Sequence, residues 1–327
     1  MASKWVKGKF LGKGTYGSVF LAKRAYSSLF TSYNSPTQVA LKSAPKNRSW
    51  SLKQEKKILY ELRGCPQIVR CFGDDDFENI NEDGTQHYNI VLEYADGGTL
   101  RQLLRRGGCR TEFEASLYAC MLLKGLSHVH EMGYVHCDIK PDNVLLFNIP
   151  KNEYKGAVKY NLKIADFGLA KKAGEVSSGV VGLEYKHRGT LLYSPPESVV
   201  FGVHEAPMDI WALGCTVLEM IFEKGGLWSC RYHDDKRCLA EMIANYEDDR
   251  LSFILPEFNN LSADVKDFVG RCLTRNVRER WTADQLLKHP FITHNQMILQ
   301  QFNGQSAHEK LLVDTPFKLS QISLGVC

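Results

Sequence analysis

The sequence predicts an α+β fold of two lobes: a small β-rich N-terminal lobe with one main helix, and a larger, mainly helical C-terminal lobe. Stretches typical of strands dominate the chain before position 95, and helical patterns dominate after it. The sequence Ala95-Asp-Gly-Gly between them is the clearest break in the chain, because paired glycines mark loops. No internal repeat is visible, which argues against a solenoid or a propeller.

Three strands are predicted at the start of the chain. Val6 to Phe10, Ser18 to Lys23 and Gln38 to Lys42 alternate apolar and polar residues or are rich in residues that favour strands. The next segment predicts the main helix of this lobe, because Ser51 and Gln54 fit a capping box and the apolar residues that follow keep helical spacing.

Two more strand-like stretches, residues 68–72 and 88–94, complete the N-terminal lobe. An acidic, polar segment at residues 74–86 separates them, and we expect it to be a turn. The lobe is therefore predicted to be a sheet with one helix.

Three helices are predicted after the break. The first begins at the capping box Thr111-Glu-Phe-Glu and ends near Met132. The second, Asp209 to Phe222, is largely apolar and is therefore expected to be buried. The last begins at the box Thr282-Ala-Asp-Gln, and Pro290 is predicted to end it.

The composition is that of an ordinary globular protein. Of 327 residues, 44% are hydrophobic and 24% are charged, which excludes a disordered chain, and the 26 glycines follow no period, which excludes a collagen-like one. The 41 basic and 37 acidic residues give a net charge of +4 without a basic arm, so we expect no nucleic-acid partner.

Cysteine usage and the N-terminus predict an intracellular protein. The ten cysteines include no CxxC pair, and the chain starts Met1-Ala-Ser-Lys without a secretory signal, so we expect reduced thiols. We also expect no membrane span, because the apolar run Ile210 to Leu218 ends at Glu219, short of the roughly 18–20 residues that a bilayer requires.

A glycine motif, Gly12-Lys-Gly14-Thr-Tyr-Gly17, lies near the N-terminus. Glycines let a backbone approach phosphate oxygens closely, but the motif alone is weak and also fits a plain glycine hairpin. A dinucleotide-binding motif would need a helix directly after the glycines. Here the strand-like Ser18-Val-Phe-Leu-Ala follows, which argues against that interpretation.

Lys42 ends the apolar run Val39-Ala-Leu on the third predicted strand. The ordinary interpretation is an edge lysine with its ammonium in water. Glu55 on the next helix offers an alternative, because a buried ammonium needs a charged partner. Such a pair could hold Lys42 against the phosphates of a nucleotide.

The most specific motif is His136-Cys-Asp138-Ile-Lys140-Pro-Asp-Asn143. Asp138 can orient and deprotonate an attacking hydroxyl, Lys140 can neutralise a phosphoryl group in flight, and Asn143 can bind a metal ion. A polar turn after a helix is the structural alternative. Downstream, Asp166-Phe-Gly follows a predicted strand, and a carboxylate at a strand end is a suitable ligand for Mg²⁺.

Three other residues are predicted to act structurally. Glu197, in the loop Ser-Pro-Pro-Glu, is expected to pair with the distant Arg280. Asp209, at the start of the buried helix, is expected to accept hydrogen bonds from backbone amides near His136.

In this order, these motifs resemble those of the eukaryotic protein kinase family over most of the chain. The resemblance implies a kinase domain at residues 1–294, with an N-terminal lobe at about 1–92, a hinge at 93–98 and a C-terminal lobe at 99–294, followed by a tail at 295–327. It also implies that ATP and Mg²⁺ bind between the lobes.

The resemblance assigns the ATP site to residues on both sides of the hinge. The glycines of the hairpin would cover the phosphates, Glu93 and Ala95 would offer backbone groups to the adenine, and apolar side chains would enclose its ring. The assigned residues are Leu11, Gly12, Gly14, Gly17, Val19, Ala40, Lys42, Glu55, Leu92, Glu93, Ala95 and Leu145.

The same resemblance assigns the chemistry. Asp138 would be the catalytic base, assisted by Lys140 and Lys42, and Asn143 and Asp166 would hold Mg²⁺. A stack of side chains anchored on Asp209 would support them. Its members are Leu59, Cys71, His136 and Phe167.

Several details narrow the resemblance. Lys140 after Asp138, and Thr190 before Tyr193, are typical of the serine/threonine branch. Leu213-Gly-Cys-Thr-Val-Leu-Glu-Met and the glycine motif are similar to plant mitogen-activated protein kinase kinase kinases of the MEKK type. This implies that the protein substrate is a MAP kinase kinase and that the protein is cytoplasmic, nuclear or both.

Two alternatives stay open. One is a serine/threonine kinase outside the MAP kinase cascade. The other is a pseudokinase scaffold without chemistry, which is disfavoured because Lys42, Asp138, Asn143 and Asp166 are all present. Nothing in the sequence indicates an oligomeric state.

The sequence also departs from the family pattern. Cys137 stands where many kinases have an arginine that pairs with a phosphorylated activation loop, which puts dependence on loop phosphorylation in question. Ser177 and Ser178 are the candidate phosphosites in that loop. Residues 26–37 and 148–160 are longer than usual and are interpreted as solvated extensions, with a docking surface as the alternative for the second.

Overall fold

The computed structural model describes residues 5–14, 17–25, 36–73, 76–81, 84–109, 111–150, 158–175, 188–222, 240–241, 243–247 and 256–295. These residues form a five-stranded antiparallel sheet with one main helix, followed by a mainly helical part that carries two small sheets. The predicted α+β class with two lobes is confirmed.

Hairpins build the N-terminal sheet, whose order is β1-β2-β3-β5-β4. Its central strand, β3, is buried from Val39 to Ala44 because β2 and β5 pair with it on either side. The strands are β1 (Trp5–Gly14), β2 (Gly17–Arg24), β3 (Gln38–Pro45), β4 (Phe77–Ile80) and β5 (Gln86–Glu93).

Two sequence predictions in this sheet are wrong. Residues 74–86, predicted as a turn, contain β4, which pairs only with β5 and can expose its polar residues at the sheet edge. Residues 68–72, predicted as a strand, form only two isolated bridges, from Ile68 to Ile164 and from Cys71 to Leu92. These bridges reach two different sheets, so the segment joins the lobes instead of extending either sheet.

The main helix of this lobe, α1 (Trp50–Glu61), does not begin at the predicted capping box. Its N-cap is Ser49, and no side chain caps it. Ser51 is a buried helix residue whose hydroxyl donates to the carbonyl oxygen of Gly168 at 3.0 Å. The prediction is wrong because the Ser51 hydroxyl binds a carbonyl that is distant in sequence, and the local sequence gives no sign of this acceptor.

The helices of the C-terminal lobe pack around two central ones, α3 and α5. Trp211 of α5 is fully buried, so the apolar run forms a buried helix, as predicted. No helix among the described residues is both long and apolar enough to cross a membrane. The helices are α2 (Leu100–Arg105), α3 (Glu112–Glu131), α4 (Pro196–Phe201), α5 (Ala206–Ile221), α6 (Ala263–Cys272) and α7 (Ala283–Leu286).

Most predicted helix ends in this lobe are observed. Thr111 caps α3, and Thr282 caps α7 with a reciprocal capping box. The prediction for Pro290 is wrong: α7 ends at Leu286, and residues 290–295 form another helical stretch. Proline is well suited to the first position of a helix, where its missing N–H has no partner to lose.

Two small sheets bring two functional loops together. The three-stranded sheet has the order β6-β8-β9, and β7 pairs with β10. Residues 136–143 connect β7 to β8, and residues 165–170 connect β9 to β10, so the paired strands place these loops side by side. The strands are β6 (Gly98–Thr99), β7 (Tyr134–Val135), β8 (Val144–Asn148), β9 (Tyr160–Ile164) and β10 (Lys171–Lys172).

Candidate active site

Three charged residues from three elements meet between the lobes. Lys42, on β3, directs its Nζ to Glu55 Oε2 of α1 at 2.5 Å and to Asp166 Oδ1 at 2.8 Å. Lys42 and Glu55 are buried, whereas the Asp166 side chain keeps 30% of its exposure. Glu55 is therefore the charged partner that the buried Lys42 requires. Asp166 is the member of the trio that is partly exposed to the cleft.

The pKa values of this trio follow from burial and mutual attraction. Burial alone lowers the pKa of Lys42, but the carboxylates of Glu55 and Asp166 outweigh it, and the net pKa lies above the ordinary lysine value. Burial likewise raises the pKa of Asp166, but attraction to Lys42 dominates and the net pKa is lowered. Lys42 stays cationic and Asp166 anionic at neutral pH.

Asp138 is surrounded by three donors. Its Oδ2 accepts from Lys140 Nζ at 2.8 Å and from Asn143 Nδ2 at 2.9 Å, and its Oδ1 accepts from the Thr190 hydroxyl at 2.7 Å. The Asn143 amide also donates to the Asp138 carbonyl at 2.8 Å. The carboxylate is thus fixed in one orientation by Lys140 and Asn143, which belong to the same motif as Asp138, and by Thr190, which does not.

Thr190 is the site residue that the sequence interpretation missed. The sequence identifies it only as typical of the serine/threonine branch, yet its hydroxyl accepts from Lys140 Nζ at 2.7 Å and donates to Asp138. Its neighbour Gly189 has φ +100, and a Cβ there would lie 2.3 Å from the carbonyl oxygen of Cys137. The glycine beside Thr190 was the available signal, because it permits this close approach.

Asp209 holds the backbone of the catalytic loop, as predicted. Its two carboxylate oxygens accept from the amides of His136 at 2.8 Å and Cys137 at 2.9 Å. His130 also contacts Asp209 at 3.0 Å. Cys137 has φ +68, a conformation that costs of order 1–3 kcal/mol for a residue with a Cβ, and the hydrogen bonds to Asp209 offset that cost.

The loop that carries Asp166 is held by neighbours from both lobes. Asp166 itself has φ +64, in the left-handed region. The rings of His136 and Phe167 meet edge-on at 4.7 Å between centroids, and His136 Nε2 lies 3.1 Å from the Ala165 carbonyl oxygen. Ser51 of α1 binds the carbonyl of Gly168. The stack is therefore observed between His136 and Phe167 and is tied to Asp209 through the His136 amide.

The glycine motif forms the β1–β2 hairpin, in which Gly14 pairs with Gly17. A Cβ on Gly14 would lie 3.7 Å from Asp166 Oδ2, so the hairpin reaches the metal-ligand candidate. A Cβ on Gly17 would lie 2.6 Å from the Ser43 carbonyl oxygen, so this glycine is required by packing against β3. A Cβ on Gly12 would have no described atom within 4 Å, so packing does not require a glycine there.

The residues predicted to enclose the adenine share one property: they line the sheet or the C-terminal lobe near the hinge. Leu11, Val19 and Leu145 are only partly buried, although they pack against the main core. Ala40 and Leu92 are buried and lie opposite each other in the β3–β5 pair. The structure therefore provides apolar surface above and below the hinge.

The hinge residues differ in what their backbones can offer. The Glu93 amide donates to the Arg70 carbonyl at 2.9 Å, and its carboxylate accepts from Lys163 at 2.7 Å. The Ala95 amide has no acceptor within the described part of the chain, and the Ala95 carbonyl accepts from Gly98. The Ala95 N–H is thus a free donor at the hinge among the described residues.

The segment after Thr190 is held by two clusters of charged and polar side chains. Arg280 forms a two-pronged pair with Glu197, at 2.5 and 3.1 Å, as predicted. Arg101 bonds to Glu219 at 2.5 Å and to the Tyr193 hydroxyl, which donates to Glu219 at 2.6 Å. This second cluster was not predicted, since Arg101, Tyr193 and Glu219 belong to three separate segments.

Some predicted residues lie outside the described residues. These are the candidate phosphosites Ser177 and Ser178, most of the two long stretches, at 26–35 and 151–157, and the tail from position 296 onward.

The donor set fits a divalent cation that is completed by phosphate oxygens. Asn143 uses its amide nitrogen on Asp138, which leaves Oδ1 for a metal, and Asp166 has a second oxygen beyond the one bound by Lys42. In the described ranges, no three His, Cys, Asp or Glu side chains converge on a metal site. Mg²⁺ commonly binds through one or two protein ligands plus substrate phosphates, which matches this arrangement.

The sequence of this chain is similar to those of known proteins. Residues 5–292 match the family model described as protein kinase domain. The chain is 36% identical over 293 residues to mitogen-activated protein kinase kinase kinase 20 of Arabidopsis thaliana, an alignment that covers 89% of this chain and 78% of that relative.

Two other relatives agree. The chain is 33% identical over 292 residues to mitogen-activated protein kinase kinase kinase 17 of Arabidopsis thaliana, covering 89% of this chain and 70% of that relative. It is 32% identical over 292 residues to mitogen-activated protein kinase kinase kinase A of Dictyostelium discoideum, covering 88% of this chain and 28% of that relative. The chain therefore belongs to the protein kinase family, and it is a serine/threonine protein kinase that resembles the plant mitogen-activated protein kinase kinase kinases.

Proposed function

We propose that this kinase transfers the γ-phosphoryl group of ATP to a serine or threonine hydroxyl of a MAP kinase kinase. The support for the substrate class is the similarity to relatives named as MAP kinase kinase kinases, two of which are matched over 70% or more of their length. The support for the chemistry is one observation: Lys42 binds Asp166, Asn143 binds Asp138, and the Ala165 amide next to Asp166 donates to the Asn143 carbonyl, which joins the two pairs.

In this proposal, Lys42 binds the phosphates of ATP. Its ammonium is held by Glu55 and Asp166, so its position is set before the nucleotide arrives. The β1–β2 hairpin, which reaches Asp166 through Gly14, covers the phosphates from above. The free Ala95 amide donates to the adenine. When bound, a divalent cation, which we propose is Mg²⁺, offsets phosphate charge between Asn143 and Asp166.

Hydrogen-bond accounting selects the oxygen of Asp138 that receives the substrate hydroxyl. Each carboxylate oxygen can accept about two hydrogen bonds. Among the described residues, Oδ2 accepts from Lys140 and Asn143, whereas Oδ1 accepts only from Thr190. Thr190 must donate to Asp138, because a carboxylate oxygen can only accept, and the Thr190 oxygen in turn accepts from Lys140. Oδ1 therefore has one position left for the substrate hydroxyl, whose proton it takes during transfer.

Lys140 binds Oδ2 of Asp138, the oxygen that does not receive the substrate hydroxyl, and can stabilise the charge of the phosphoryl group. Its Nζ bonds to Asp138 and Thr190 and leaves a third proton free. That proton can bind an oxygen of the phosphoryl group during transfer, which places the cation where charge develops.

The test offers the purified full chain and labelled ATP to a catalytically inactive MAP kinase kinase, with casein and myelin basic protein as generic acceptors. We expect preferential labelling of serine or threonine in the MAP kinase kinase. Asp138→Asn should lower the transfer rate by about 10²–10⁴-fold, because the amide cannot accept the proton. Asp142→Asn, which changes an exposed neighbour paired with Arg101, is the matched control.

The outcomes separate the alternatives. Equal labelling of all acceptors would favour a kinase outside the MAP kinase cascade. Absence of transfer to any acceptor, with nucleotide binding intact, would favour a scaffold. We also propose a cytoplasmic or nuclear location, which fluorescence microscopy of the tagged full chain would test, with an extracellular signal as the contradicting result.

A further inference from the structure

Lys171 is a buried cation outside the catalytic set. It lies on β10, where pairing with β7 sets it opposite Val135, and only 4% of its side chain is exposed. Its Nζ donates to the carbonyl oxygens of Lys172 at 3.1 Å and Glu175 at 3.0 Å, and to Glu205 Oε1 at 2.9 Å. Since an ammonium has three protons, all of its donors are used within the chain.

Glu205 supplies the charge that Lys171 requires. Besides Lys171, its carboxylate accepts from the amide of Gly174, which lies 3.1 Å from both oxygens. Glu205 directly precedes α5, the helix whose Asp209 holds the amides of His136 and Cys137. One carboxylate therefore ties residues 171–175 to the helix that positions the catalytic loop.

The far end of the activation segment, the chain between Asp166 and Glu197, is anchored nearby. Arg188 donates from Nη1 to the Leu169 carbonyl at 2.7 Å, and its amide donates to His204 Nε2 at 3.3 Å. Arg188 is two residues before Thr190, which binds Asp138. Both ends of the segment are thus fastened to the adjacent residues His204 and Glu205.

Cys137 offers no charge at this place. It is buried in a small apolar cluster with Val135, Met208 and the partly buried Leu169. Neither Cys137, a buried thiol, nor Lys171, whose three protons are already bound, therefore offers a free positive charge to a phosphate.

We propose that Glu205 is a positioning residue for phosphotransfer: through Lys171 and Gly174, its carboxylate holds the segment after Asp166 in place, so that the active-site geometry needs no phosphate on Ser177 or Ser178. The proposal rests on the proposed phosphotransfer at Asp138. It adds a regulatory property, which is activity independent of phosphorylation in the activation segment.

The test uses the full chain after phosphatase treatment, with the absence of phosphate confirmed by intact mass. Dephosphorylated wild type should keep kcat within about twofold of the untreated protein. Glu205→Gln keeps the shape but removes the charge, and should lower kcat about tenfold, the effect of losing one charged hydrogen bond. Glu175→Gln is the matched control, because within the described ranges the Glu175 side chain bonds only to the Lys172 amide.

Two readouts separate positioning from general stability. In Glu205→Gln, the KM for ATP and the stoichiometry of ATP-analogue binding should stay at wild-type values while kcat falls. Lys171→Met should have the same effect, and the double variant should be no worse than either single variant, since the residues act as one unit.

Wild-type kcat in Glu205→Gln would overturn the proposal, and so would loss of more than tenfold in wild type on phosphatase treatment. The second arm needs no variant, so it decides the question even where Glu205→Gln does not fold. A wild type that is inactive before treatment would contradict the proposed function instead.

Discussion

Two buried ion pairs, Lys42–Glu55 and Arg280–Glu197, lie in different lobes and differ in how completely they are satisfied. Arg280 donates to Glu197 through two nitrogens, to the carbonyls of Thr274 and Pro207, and it lies over the Trp211 ring at 5.1 Å. Lys42 binds two carboxylates, and Oε1 of Glu55 has no donor among the described residues.

This difference separates a structural charge from a functional one. The side chain of Arg280 is fully buried and has no surface left for a ligand. Lys42 reaches the cleft through Asp166, whose side chain is 30% exposed, so its charge can act on a bound phosphate. Burial fixes both cations, but only the incompletely satisfied one can do chemistry.

The largest expected effect is on stability, at the satisfied pair. Arg280→Met leaves Glu197 and two backbone carbonyls buried without a donor, which should lower the free energy of unfolding by about 3–5 kcal/mol. Urea denaturation measures it. Arg271→Met is the control, because Arg271 pairs with Asp267 at an exposed site and should change stability by less than about 1 kcal/mol. Equal losses in the two variants would contradict the distinction.

The next largest expected effect is on catalytic activity, at the Lys42–Glu55 pair. Lys42→Met removes the phosphate ligand and should lower kcat by about 10²–10³-fold, as other losses of a preorganised charge do. Its thermal stability should change less than that of Arg280→Met, because Glu55 can take up a proton. Lys46→Met, which breaks the exposed pair with Glu78, is the control and should keep wild-type kcat. Full activity in Lys42→Met would refute the role of Lys42.

A pH series sharpens the same comparison. Burial raises the pKa of Glu55, and loss of Lys42 removes the attraction that opposes this rise. A carboxyl whose folded pKa exceeds its unfolded pKa contributes stability below the unfolded pKa, and that stability is lost as the pH rises through the folded pKa. The stability gap between wild type and Lys42→Met should therefore widen by about 1 kcal/mol or more from pH 5 to pH 8. A gap independent of pH, in urea denaturation, would show that Glu55 does not titrate there.

The smallest expected effect concerns the hydrogen bond that links α1, which carries Glu55, to the loop of Asp166. Ser51→Ala removes the bond to the Gly168 carbonyl and should cost about 1 kcal/mol. Ser116→Ala, whose hydroxyl binds the local Phe113 carbonyl within α3, is the control for a serine without a tertiary link. We expect a larger fall in kcat for Ser51→Ala, and equal kcat values would argue against coupling of α1 to Asp166.

Much of the fold could be predicted because its elements carry local signals. The glycine hairpin, the third strand and the apolar α5 were predicted with nearly their observed bounds. The short strand β4 could not be, because its four residues lie inside a polar segment, and their pairing is evident only once the partner strand β5 is known. Ser51 has the pattern of a cap, and its true acceptor lies 117 residues away.

The candidate site shows the same division. The residue types at Lys42, Asp138, Asn143 and Asp166 were evident, because their spacing and chemistry fit phosphate, proton and metal binding without knowledge of the fold. Thr190 was missed because it lies 52 residues from Asp138, and the neighbouring Gly189 indicates a close approach without identifying the partner.

Sequence alone was enough to identify the side chains that this kinase has for catalysis and the order of the strands and helices that carry them. Both depend on residue type and local spacing. Only the tertiary structure decided which of those side chains remain unsatisfied. Glu205 on Lys171 and Thr190 on Asp138 are contacts between segments whose meeting depends on packing. Hydrogen bonds and charges act over a few ångströms in space, whatever the separation along the chain.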